Sequence, residues 1–262
     1  MTQSHNHKMP ALFLGHGSPM NVIEDNPFAD IWEQLGKDIP RPRAIVSISA
    51  HWETPGIRVT AMENPRTIHD FGNFPQALFD IQYPAPGDPA LAARIQSIVN
   101  KKEVTLDHQW GLDHGTWGVL IKMYPEADIP VLQLSLDRKL APKDHYALGR
   151  ELKSLRDEGI LILGSGNIVH NLGQISMNPK EKSAPWAVEF DETIKQFLLK
   201  KNHQAILDFE SLGAIARQSV PTPEHLLPLI YVIALQDPEE SVTFPVEGIV
   251  AKSISMRSVL IS

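Results

Sequence analysis

The chain contains no cysteine. That absence removes disulfides, iron–sulfur clusters, thiolate zinc sites and cysteine nucleophiles. No apolar run approaches the roughly 20 residues that a membrane-spanning helix needs. No basic run is present either, and 24 Lys and Arg face 31 Asp and Glu, for a formal charge of −7. Such a balance suits neither nucleic acid nor an anionic membrane as a partner. Residues 1–10 are polar and lack the apolar middle of a secretion signal, so the expected location is cytoplasmic. This stretch, which carries His5 and His7, reads as a poorly ordered tail. No repeat, low-complexity block or linker divides the remainder, and residues 9–262 read as one domain.

What is present is an ordinary globular balance: 262 residues, 42% hydrophobic and 21% charged. A domain of this size buries roughly 75% of its unfolded-chain surface, enough for a full core without staples. Ala11–Leu14, Ala44–Ser49, Pro130–Leu136 and Ile160–Leu163 are short apolar runs bounded by Gly and Pro, the pattern of buried strands. Helical segments alternate with them. Asp88-Pro89 is a helix start, with Leu91, Ile95, Ile98 and Val99 at helical spacing. Leu148, Leu152 and Leu155 mark a second helix that stops before Gly159. Trp186, Phe190, Ile194, Phe197 and Leu198 mark a third. Thr222-Pro223 opens a fourth, which Pro228 kinks or shortens. The alternation predicts an α/β fold, a single domain with a central, largely parallel or mixed sheet flanked by helices. Ser241–Val246 and Lys252–Ile261 read as two C-terminal antiparallel strands around Glu247-Gly248.

Three histidines occupy the same topological position, just after a predicted buried strand. They are His16 between Gly15 and Gly17, His51 before Trp52, and His170 beyond Ile160–Leu163. Loops beyond the carboxyl ends of strands in an open α/β sheet converge on one crevice. Three neutral imidazoles meeting there make a divalent metal site with open positions. Taken singly, each reads equally well as a loop or partly buried histidine; the coincidence favours ligands. His114 precedes a predicted helix Thr116–Tyr124, and a helix N-terminus disfavours imidazolium. It reads either as a proton acceptor or as a residue wedged between Trp110 and Trp117. His225, in the first turn of the Thr222-Pro223 helix, reads alone as a capping-region histidine. His69-Asp70-Phe71-Gly72 reads as a mobile substrate loop. His108, His145 and His203 read as exposed. Gly164-Ser165-Gly166 offers a weak phosphate cradle, without the Lys and spacing of a nucleotide motif. It also lacks the spacing of a nucleophile elbow.

Seven segments together carry a resemblance. They are Leu-Phe-Leu-Gly-His-Gly-Ser-Pro, Ser-Ala-His-Trp, Thr-Ile-His-Asp-Phe-Gly, Tyr-Pro-Ala-Pro-Gly, Gly-Leu-Asp-His-Gly-Thr-Trp, Ser-Gly-Asn-Ile-Val-His-Asn and Thr-Pro-Glu-His-Leu-Leu-Pro. In that order, from residue 11 to about residue 231, they resemble the class III extradiol ring-cleaving dioxygenases, related to the protocatechuate 4,5-dioxygenase catalytic subunit. Within that family they are most similar to the single-chain DOPA 4,5-dioxygenase type. The resemblance implies a non-heme Fe(II) centre that cleaves a catechol with dioxygen to a muconic semialdehyde. It implies metal ligation by His16, His51 and His170. His170 stands where another branch of the family supplies Glu. It implies an acid–base role for His114 and a substrate-facing role for His225. No obligatory second subunit is evident. Three histidines with an open position are also a zinc pattern, and Zn(II) competes for such a site. The alternatives are therefore a zinc-dependent hydrolase on the same scaffold, or a non-catalytic metal- or partner-binding homologue.

Overall fold

Continuous apolar runs become central strands because both faces of a parallel sheet are covered. In the computed structural model, which describes residues 8–178 and 180–262, these runs form the heart of an eight-stranded sheet. The strands of the chain are β1 (Ala11–Gly15), β2 (Ala44–Thr54), β3 (Ile57–Thr60), β4 (Arg66–Thr67), β5 (Val104–Asp107) and β6 (Gly111–Leu112). They continue with β7 (Val131–Asp137), β8 (Ile160–Gly166), β9 (Val242–Thr243), β10 (Ile249–Val250), β11 (Ile254–Ser255) and β12 (Val259–Ile261). The sheet order is β5-β3-β7-β2-β8-β1-β12-β9. β7, β2, β8 and β1 run parallel at its centre. β3 joins β7 antiparallel, and β12 and β9 extend the other edge antiparallel.

Alternate residues of each central strand feed opposite faces. Phe13, Ile160 and Ile162 enter one apolar cluster, and Leu12, Leu14, Leu161 and Leu163 enter the other. The helices are α1 (Pro27–Asp38), α2 (Gln76–Phe79), α3 (Pro89–Ile98), α4 (His114–Met123), α5 (Pro142–Glu151), α6 (Pro185–Leu199), α7 (His203–Leu207), α8 (Ala214–Ser219) and α9 (Leu227–Ala234). α1 and α4 supply Trp32, Leu35, Trp117 and Leu120 to the second cluster. α3, α5, α6 and α9 cover the other face. The result is the expected single α/β domain with a mixed, mostly parallel sheet. No helix among the described residues is long and apolar enough to cross a membrane.

The local signals and the structure differ in instructive places. Asp88 caps α3 as expected, its carboxylate accepting the Leu91 amide at 2.9 Å. Pro228 does not interrupt a helix that starts at Thr222. A 3₁₀ turn, Pro223–His225, comes first, and Pro228 lies in the opening turn of α9, where a missing N–H costs nothing. The two expected C-terminal strands are four short ones, because the β10–β11 hairpin intervenes before β12 returns to pair with β9. His145 is fully buried rather than exposed, its ring bonded to the Tyr231 hydroxyl at 3.0 Å. His5 and His7 of the expected tail lie outside the described residues. Residues 8–10 are packed into the fold: Met9 is buried and its amide donates to the Arg156 carbonyl at 2.9 Å.

Candidate active site

The site lies at the carboxyl ends of β1, β2 and β8, where parallel strands hand over to loops. His16 follows β1 directly, and His51 lies within β2, just where its register with β7 shifts. His225 ends the 3₁₀ turn that leads into α9. It comes close because β8 ends in glycine: a Cβ on Gly166 would stand 2.1 Å from the His225 carbonyl oxygen. That same carbonyl accepts the Asn167 amide at 2.9 Å. The Gly-Ser-Gly stretch is therefore a strand end that admits the His225 turn, not a phosphate cradle.

Ligand nitrogens of His16, His51 and His225 lie within 4.8 Å of one another. The sequence grouped His170 with His16 and His51; the structure puts His225 in that group. His170 lies four residues beyond β8, in a single bridge with Ile254, and its amide donates to the Ser219 carbonyl. Its ring stacks on that of His225 at 3.4 Å and 10°. Ring nitrogens of His170 and His225 and a carboxylate oxygen of Glu224 form another close group. His114 opens α4 behind Asp113, two residues earlier than the expected helix, and its ring centroid is 4.0 Å from that of His51.

Hydrogen-bond partners set the tautomers of His16 and His225. Ser165 Oγ donates to the Gly115 carbonyl and so can only accept from His16 Nδ1, 3.0 Å away. Asn167 Nδ2 donates to the Ser255 carbonyl, which turns its amide oxygen toward His225 Nδ1 at 3.2 Å. Asp70 Oδ2 stands 3.3 Å from His51 Nδ1. The Nδ1 of His16 and of His225 thus carries a proton and the Nε2 of each a lone pair, and the nearby carboxylate favours the same tautomer for His51. His16 Nε2 and His51 Nε2 face each other at 3.1 Å. With a proton on His51 Nε2 this contact is a hydrogen bond; with that proton on Nδ1 beside Asp70, a cation between the two nitrogens and His225 takes its place. The donor set fits a divalent transition metal held by neutral imidazoles, each steadied through its other nitrogen.

Burial reinforces this state. Desolvation pushes the His16 and His225 imidazoles well below their ordinary value, helped by the neighbouring histidines. It takes His51 down to about 3 and His170 to about 4. Neutral rings at ordinary pH are what metal binding requires.

Beneath the cluster is a buried polar floor. Asp113 caps α4, accepting from the Thr116 amide, Ser49 Oγ and Gln133 Nε2 at 3.1, 2.7 and 2.7 Å. Desolvation and the nearby Asp70 charge push its carboxyl up to about 6. To one side Phe71 meets the His114 ring edge-on at 5.5 Å and packs with Phe74 and Phe79. The loop that carries Phe71 is tied down: Ile68 N donates to the Leu112 carbonyl, Trp117 Nε1 to the Ile68 carbonyl, and His69 Nε2 to the Ile81 carbonyl.

Sequence reasoning missed Asp70, Ser165 and Asn167 as partners of the rings. A signal existed for the last two: polar side chains at the end of an apolar strand are buried there and must find partners.

Comparison with known proteins agrees with this geometry. A protein of Escherichia coli (strain K12) described as 4,5-DOPA dioxygenase extradiol is 53% identical over 261 residues, covering 97% of this chain and 95% of its own. The 4,5-DOPA dioxygenase extradiol of Beta vulgaris is 40% identical, with 83% of each chain covered. A crystal structure of an uncharacterized protein from Escherichia coli K12 superposes with a TM-score of 0.85 at 47% identity, covering 97% of this chain and 100% of that one. Residues 10–254 match the family described as the catalytic LigB subunit of aromatic ring-opening dioxygenase. The chain belongs to that family of ring-opening dioxygenases.

Proposed function

We propose that this protein opens the ring of a catechol of the L-DOPA type beside its diol, at Fe(II) held by His16, His51 and His225. The carrying observation is the convergence of ring nitrogens from His16, His51 and His225 within 4.8 Å of one another, with the His16 and His225 rings held through Nδ1. The metal would supply a Lewis acid for the diol and a path for electrons from substrate to dioxygen. Everything else falls to side chains. His114 is held through Nδ1 by Asp70 at 2.9 Å, so its Nε2 is free to take a phenolic proton and later return it. His170, partly exposed and stacked on His225, is the second group able to hold a proton at the mouth of the site. Phe71 offers an aromatic edge to the substrate ring. Both oxygen atoms of dioxygen enter the product, a muconic semialdehyde, so no outside reductant is consumed.

The test is anaerobic loading with Fe(II), then addition of air-saturated buffer and L-DOPA, following oxygen uptake and visible absorbance together. The expected result is stoichiometric oxygen consumption with a yellow product, absent from a Zn(II)-loaded control. No uptake with L-DOPA or a catechol panel at full metal occupancy would overturn the reading. Ester or amide hydrolysis by the Zn(II) form would then favour a zinc hydrolase.

A further inference from the structure

The three ring ligands are neutral, so the site brings no negative charge of its own to a divalent cation. Two carboxylates stand beside it: half-buried Glu224, near His225, and Asp70, whose side chain is 15% exposed. A carboxylate offers about four lone-pair directions, and hydrogen bonds engage two of those on Asp70. Oδ1 accepts the His114 amide at 2.8 Å, and Oδ2 accepts His114 Nδ1 at 2.9 Å. Oδ2 also contacts His51 Nδ1 at 3.3 Å. One carboxylate therefore touches both a ring of the metal group and the ring proposed to move protons. The loop holding it is anchored immediately before Asp70, through Ile68 and His69.

We infer that Asp70 is a positioning residue: it keeps the Nδ1–H tautomer on His51 and His114 and lends the metal ligand a negative charge. This rests on the assignment of His51 as a ligand. An asparagine cannot replace it. Its NH₂ group must face either the His114 amide, donor against donor, or the two Nδ1 atoms. In the second case the rings keep a bare Nδ1 and carry the proton on Nε2, which blocks the lone pair that would bind metal. Outer-layer carboxylates on metal-bound imidazoles typically contribute 10- to 100-fold in affinity.

The experiment is 15N NMR of the histidine rings in apoprotein, beside Co(II) titration of wild type, Asp70→Asn and Asp70→Glu. Wild type should show protonated Nδ1 and bare Nε2 on His51 and His114. Asp70→Asn should shift His51 toward the Nε2–H tautomer and weaken Co(II) roughly 10- to 100-fold, with Asp70→Glu between the two. Unchanged tautomers and affinity in Asp70→Asn would overturn the inference. So would a wild-type His51 already protonated on Nε2, a result that needs no variant to fold. Neither readout uses turnover. Wild type that binds Co(II) with the expected tautomers yet cleaves no catechol would sink the dioxygenase reading and leave this one standing.

Discussion

The two ends of β8 hold buried polar groups in opposite ways. At the amino end Arg156 is 1% exposed, and it makes four hydrogen bonds. Nε donates to the Met9 carbonyl at 2.6 Å, and Nη1 to the Leu235 carbonyl at 2.9 Å. Nη1 and Nη2 grip the Glu240 carboxylate at 3.0 and 2.6 Å. At the carboxyl end, Ser165 and Asn167 bind one nitrogen of His16 and of His225 and leave the other bare. The first arrangement is closed and serves the fold. The second holds its rings from the outer side and gathers their remaining nitrogens within reach of one another, where a cation can bind.

The sharpest way to break this contrast is at the stacked pair. His225→Ala should abolish metal retention, measured by elemental analysis. His170→Ala should keep the metal and lose roughly 10²–10⁴-fold in kcat, as expected of a proton-handling group. The reverse pattern would return the ligand role to His170. At the closed end, Arg156→Met leaves the Glu240 charge and two carbonyls without their partner. Unfolding by denaturant should show a loss of about 3 kcal/mol, while metal bound per folded molecule stays unchanged. A fall in metal affinity there would mean that the two ends are not independent.

Ser165→Ala sharpens the same point on a smaller scale. It removes the acceptor that orients His16 and should weaken metal about 10- to 100-fold without loss of the site. The smallest effect is a pH dependence. Burial raises the Glu240 carboxyl, but its bonds from Arg156, the Asp237 amide and Lys8 outweigh that and hold it below its ordinary 4.5. A carboxylate depressed in the folded state contributes stability above its unfolded value and loses it as pH falls through the folded one. Stability should therefore decline below about pH 4.5, and Glu240→Gln should flatten that decline. An identical acid limb in the variant would assign it to other carboxylates.

Much of the scaffold is legible in local pattern. The four central strands announce themselves as apolar runs, and Asp88-Pro89 starts α3 because a cap and a preset φ need no distant partner. His16 and His51 could be set at strand ends by the same reasoning. His225 could not be ranked against His170. Both lie in loops, and the shorter sequence distance from β8 favours His170, whereas the structure groups His225 with His16 and His51. What reverses the order is Gly166, which lets a turn some 60 residues later in the chain approach the strand end. Asp70 was visible only as part of a Phe- and Gly-bearing loop, and nothing local says that its carboxylate reaches two rings.

The sequence by itself determined the α/β class, the exclusion of thiol chemistry and the supply of three histidines at strand ends, to which the family resemblance added His114 and His225. The first three follow from periodicity and composition, which act over a few residues at a time. The tertiary structure alone decided which ring nitrogens lie within reach of one another and which carboxylates approach them. Those depend on distances between chain segments far apart in sequence, set by strand order and by where a missing Cβ permits close approach.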